Sequence, residues 1–61
     1  MAKVGDKYTL LGTDNVFEIT GDGCDNWVIK IIASQSVEVG VLMNKDDLNE
    51  SVNYQGKFEL Q

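Results

Sequence analysis

The densest run of groups that could do chemistry is Gly21-Asp22-Gly23-Cys24-Asp25-Asn26, which sets two carboxylates and a thiol side by side. A calcium loop would need alternating oxygen ligands, a central glycine and a closing glutamate. Here Cys24 falls in a ligand slot and no glutamate follows at the required distance. Asp and Gly are also the ordinary residues of tight turns, so Asp22, Asp25 and likewise Asp14 read as turn residues. Cys24 as a nucleophile would need a neighbouring cation or base, whereas Asp22 and Asp25 surround it with negative charge; an incidental thiol is the better reading. Ser34, Ser36 and Ser51 have no histidine to activate them, because the chain contains none. A Ser–Lys pairing stays open, but no spacing points to one. The expectation is a protein without catalytic residues, metal or cofactor.

Two sets of residues could instead serve binding. Tyr8, Phe17, Trp27, Tyr54 and Phe58 could line an aromatic groove. A chain this short needs most large side chains inside, which assigns Phe17 and Phe58 to the core. Tyr8, Trp27 and Tyr54 have polar tips suited to a surface and stand as binding candidates, with Trp27 favoured for partial exposure because it begins a strand beside a polar loop. The second set is acidic: Glu38, Asp46, Asp47, Glu50 and Glu59 gather in the second half of the chain. Glu38, Asp46, Asp47 and Glu50 could dock on a basic protein surface. The plainer reading is that Asp46 and Asp47 serve a helix start, while Glu38 and Glu59 lie on the solvent side of strands.

The elements that position these residues must come from 61 residues, room for one domain spanning 1–61. A chain of that size buries only roughly 60% of its unfolded surface. Cys24 is the single cysteine, so no internal disulfide can help, and a lone thiol fits a reducing compartment. The N-terminal Met1-Ala2-Lys3-Val4-Gly5-Asp6 lacks the apolar core of a signal peptide, and no stretch approaches a membrane span. Cytoplasmic location is therefore expected, without membrane association. Ten acidic against five basic residues give a net charge of −5, which repels phosphate backbones. The five lysines are scattered and there is no arginine, so no basic stripe for nucleic acid appears.

Apolar and β-branched runs alternate with Gly, Asp, Asn and Ser clusters about every ten residues, the spacing of an all-β sandwich or barrel. Strands are predicted over 7–11, 16–20, 27–33 and 37–43. In the second, Phe17 and Ile19 form the inward set. The third is apolar on both faces, Trp27, Ile29, Ile31 and Ala33 against Val28 and Ile32 with Lys30 the sole charge, as expected of a central strand covered on both sides. In the fourth, alternation places Val37, Val39, Val41 and Met43 on one face and Glu38, Gly40 and Leu42 on the other, with Gly40 marking a bulge or bend. Asn44 as a cap, Asp46 and Asp47 in the first turn, and Met43 and Leu48 as a hydrophobic staple predict about two turns of helix over 45–51. A short strand over 57–60 closes the chain.

Four antiparallel strands, a short helix and a closing fifth strand follow the order of elements in SH3-like small β-barrels. The opening Val4-Gly5-Asp6-Lys7-Tyr8 resembles the "VGD" turn of KOW- and Tudor-like members and of small phage or mobile-element proteins. The resemblance covers nearly the whole chain as a pattern. It implies an all-β, five-stranded SH3-like barrel with a short helix between strands 4 and 5. It also implies a non-enzymatic protein-binding module of the kind that, phage-encoded, modulates or inhibits a host protein in the host cytoplasm. The expected partner is a protein with a basic surface; a homo-oligomer is a further option. The alternative is a nucleic-acid-associated KOW-like domain, which the acidic balance opposes, and a small-molecule enzyme has the least support.

Overall fold

Alternating apolar residues produce five strands in the computed structural model, which describes residues 2–48 and 58–61. β1 spans Lys7–Leu10, β2 Val16–Gly23, β3 Asn26–Ile32, β4 Val37–Asn44 and β5 Phe58–Leu60, with a 3-10 turn at Lys45–Leu48. They form one antiparallel sheet in the order β4-β3-β2-β1-β5. Among the described residues β4 and β5 are its two edges, and the sheet is not closed into the expected barrel. No helix among the described residues is long and apolar enough to cross a membrane.

Side chains of alternate residues share a face, and the register shows which face became the core. Tyr8 lies opposite Phe17, Ile19 opposite Ile29, Phe17 opposite Ile31, Ile29 opposite Val41, Trp27 opposite Met43 and Leu10 opposite Phe58. These residues and Leu48 make one apolar cluster, in which Tyr8, Phe17, Ile19, Trp27, Ile29, Leu48 and Phe58 are buried. The Phe17 and Phe58 rings meet edge to face with centroids 5.2 Å apart. Their strands lie on either side of β1, with backbones roughly 9–10 Å apart, and the two rings meet across it on the inner face. Among the described residues no element is packed over the other face of β3, where Val28 and Ile32 are half-buried, in contrast to the strand enclosed on both sides that its composition predicts.

Two bulges change which residues face inward. In β2 one extra residue, Thr20, stands between Ile19 and Gly21, and its hydroxyl donates to the Val28 carbonyl at 3.2 Å. Beyond it the alternation is shifted by one, so Asp22 lies opposite Trp27. The strand continues to Gly23 rather than ending at Thr20, leaving only Cys24 and Asp25 as the hairpin turn, with Cys24 at φ 70°. In β4 the register slips between Val41 and Glu38, where Gly40 adopts φ 71°. A left-handed glycine is the residue that one type of bulge requires. As a result Val37 pairs with Ile32 on the outer face and Glu38 with Ile31, the reverse of simple alternation for both.

The helix expected over 45–51 is, among the described residues, the single 3-10 turn Lys45–Leu48. Its start signals are nonetheless used. Asn44 Oδ1 accepts from the Asp46 amide at 2.8 Å, and Met43 and Leu48 both join the core. The Lys45 amide is held by the Asp25 carbonyl at 3.1 Å, so the turn is tied to the β2–β3 hairpin from its first residue. Asn49 to Lys57, with the remainder of that helix and the start of the predicted last strand, lies outside the described residues.

Ahead of β1 the Val4-Gly5-Asp6 turn extends the β1–β2 ladder. Gly5, at φ 98°, donates its amide to the Ile19 carbonyl at 2.8 Å, and the Ile19 amide returns to the Asp6 carbonyl at 2.9 Å. The Asp6 carboxylate accepts from the Lys3 amide at 3.1 Å and from the Tyr8 hydroxyl at 3.2 Å. In this chain the motif's aspartate thus serves folding, because it gives the phenol of a fully buried tyrosine a hydrogen-bond acceptor.

Candidate binding surfaces

Of the aromatic candidates, Tyr8 is removed by burial. Its relative exposure is 0%, so the ring offers a partner no surface, and its polar tip is satisfied internally by Asp6. Trp27 is also in the core, at 8% exposure, instead of partly exposed at a strand start. The shift caused by the β2 bulge brings Asp22 beside it, and Lys45 reaches across from the 3-10 turn. The Lys45 ammonium stands 4.2 Å from the Trp27 ring centroid and 2.7 Å from Asp22 Oδ1. One cation therefore meets a carboxylate and an aromatic face together. Asp22 Oδ1 also accepts from the Cys24 amide at 3.0 Å. The Lys45 hydrogen bond first, and the Cys24 amide second, hold the Asp22 carboxyl below the usual aspartate range. Cys24 is exposed. Tyr54, the third aromatic candidate, lies outside the described residues.

The acidic candidates among the described residues do not form one face. Asp46 and Asp47 are exposed in the 3-10 turn, next to the hairpin that carries Asp22 and Asp25, because Asn44 pairs with Asn26 and Lys45 bonds to Asp25. Glu38 is exposed but stands near the opposite end of β4, about 20 Å from Asn44 at an ordinary strand rise. Glu38 therefore does not neighbour Asp46 and Asp47. Glu50 lies outside the described residues. Among those described, no group of three or more His, Cys, Asp or Glu side chains is placed to hold a metal ion.

The surface that sequence reasoning missed is apolar. Val37 is 58% exposed, Val39 73% and Leu42 66%, all on the edge strand β4. Leu42 pairs with Val28, and Val37 with Ile32 and through it with Val16, so two apolar rows cross the outer face. Between them runs a row of charge, Lys7 opposite Glu18 and Glu18 opposite Lys30. Opposite charges placed directly across strands are mutually favourable, which accounts for this row without a partner. The valines and leucine have no such internal account. Read through the bulge at Gly40, the sequence does signal them, since the slip moves Val37 off the inner face. Compared with known proteins, this chain matches no protein family, no curated protein and no solved structure.

Proposed function

We propose that this chain is a non-catalytic protein-binding module that docks through the exposed β4 side of its sheet. The carrying observation is the trio Val37, Val39 and Leu42, three large apolar side chains more than half exposed on one edge strand. Contiguous exposed apolar surface marks interaction sites, and an exposed edge strand is a surface that proteins otherwise blunt. The acidic net charge and the scattered lysines support a protein partner with a basic surface over nucleic acid. The order of elements, with β5 returning beside β1 after a four-strand meander, supports an SH3-like relationship, and that resemblance alone supports a phage-type modulator or inhibitor acting in a host cytoplasm. The test is affinity capture with the full chain and with Leu42→Lys. Leu42 is exposed, so the variant keeps the fold, checked by circular dichroism, and loses the specific partner. A partner retained by the folded variant, or no specific partner for the parent chain, refutes the reading.

A further inference from the structure

We infer that the segment recognised is an extended peptide, apolar in alternation and basic at both ends, which adds to the sheet as a strand along β4; this rests on the protein-binding reading above. Among the described residues β4 is paired on one side only, so its outward amides and carbonyls form a template for strand addition. Its distribution of charge selects the guest. Residues 39–43 carry no charge at all, whereas Glu38 precedes them and Asp47 follows. The amide of Lys45 holds Asp25 at the same end, and the Lys45 ammonium is already engaged by Asp22. Carboxylates therefore flank an apolar strand, and the complement is an apolar strand flanked by cations. A second copy of this chain fits less well, because each copy has a net charge of −5 and association must overcome that repulsion. The bulge at Gly40 interrupts the flat edge, which favours a short peptide over indefinite sheet stacking.

The probes are two synthetic peptides of about nine residues, the length of one strand, alternating valine and threonine between terminal lysines or terminal glutamates. Each is titrated into the isotope-labelled full chain and followed by NMR. The lysine peptide is expected to shift the β4 amides and slow their exchange, to bind about ten-fold more tightly than the glutamate peptide, and to weaken as salt is raised. Glu38→Lys weakens it several-fold, and N-methylation of its backbone abolishes binding. Equal binding of both peptides, binding that leaves β4 unmoved, β4 amides already protected in the free monomer, or a dimer joined through β4 would each overturn the inference. A protein partner that is lost on Leu42→Lys yet not displaced by the lysine peptide overturns this inference and leaves the protein-binding reading standing. Absence of both peptide and protein binding removes both.

Discussion

Gly40 is the residue on which the arrangement of β4 turns, and replacing it with alanine isolates the reason. At φ 71° an alanine Cβ would meet nothing within 4 Å, so the cost is not a collision with a neighbouring group. What remains is the penalty for an L-residue in the left-handed region, roughly 1–2 kcal/mol. Part of it is offset because alanine also restricts the unfolded chain, by about 0.4–1 kcal/mol. The net expectation is a loss of about 1 kcal/mol, equivalent to a fall in Tm of roughly 4–8 °C for a domain this small. Urea denaturation with unchanged slope would measure it. A chain of this length is accessible to chemical synthesis, which permits D-alanine at position 40 as the control. The D-residue favours positive φ, keeps the restriction of the unfolded state, and should match or exceed the stability of glycine. If L-alanine costs nothing, or if D-alanine costs as much as L-alanine, the left-handed bulge is not the conformation of β4 and the outward placement of Val37 loses its cause.

Three further perturbations probe the rest of the fold. Trp27→Ala removes a core side chain and should cost about 3–5 kcal/mol, comparable to the whole stability of a small domain; a well-dispersed NMR spectrum of the variant would refute the core placement. Asn44→Ala removes the acceptor of the Asp46 amide and should cost about 1 kcal/mol, read as a lower urea midpoint, whereas an unchanged midpoint would show that the cap is not used. Asp22, whose carboxyl is lowered chiefly by Lys45 and then by the Cys24 amide, stabilises the fold above its unfolded-state value near pH 4. That contribution is lost as pH falls through its lower folded-state value. Carboxyl NMR titration should show Asp22 returning toward the ordinary range in Lys45→Gln, and an unchanged titration would refute the pairing.

The residues that sequence periodicity located are those whose environment is set by the nearest strand. Phe17, Ile19, Ile29 and Phe58 alternate with polar neighbours or lie in a mainly apolar run, and all are buried; Trp27, expected to be partly exposed, is buried with them. Tyr8 was ambiguous because a phenol suits either a surface or a core with a hydrogen-bond partner. Its partner was nonetheless two positions away: Asp6 and Tyr8 fall on the same side of an extended chain, and that spacing points to the bond that permits burial. What periodicity could not locate depends on pairing between strands. A bulge is a mismatch between two strands, so alternation alone does not show it; Gly40 marked the one in β4, where the register slips, while the bulge at Thr20 in β2 had no such signal. Closure is likewise a relation between edges and not a property of β4 or β5. The cap at Asn44 was read correctly because a cap is a local hydrogen bond, whereas the 3-10 form of Lys45–Leu48 goes with a tie to Asp25 on another element.

That distinction bears on function through one glycine. Without a slip in β4, Val37, Val39, Val41 and Met43 would face the core together and the strand would present Glu38 and Leu42 outward. With the slip, Val41 and Met43 stay against the core, while Val37 and Val39 are exposed beside Leu42. Placing valines in solvent forgoes the gain of burial, about 1.5–3 kcal/mol for each such side chain. In a domain whose total stability is of the order of 5 kcal/mol, an arrangement that forgoes it twice is costly to the isolated fold. A partner that covers β4 returns that burial on binding, which is why the register slip at Gly40, more than the acidic charge, directs the search for a binding surface to this strand.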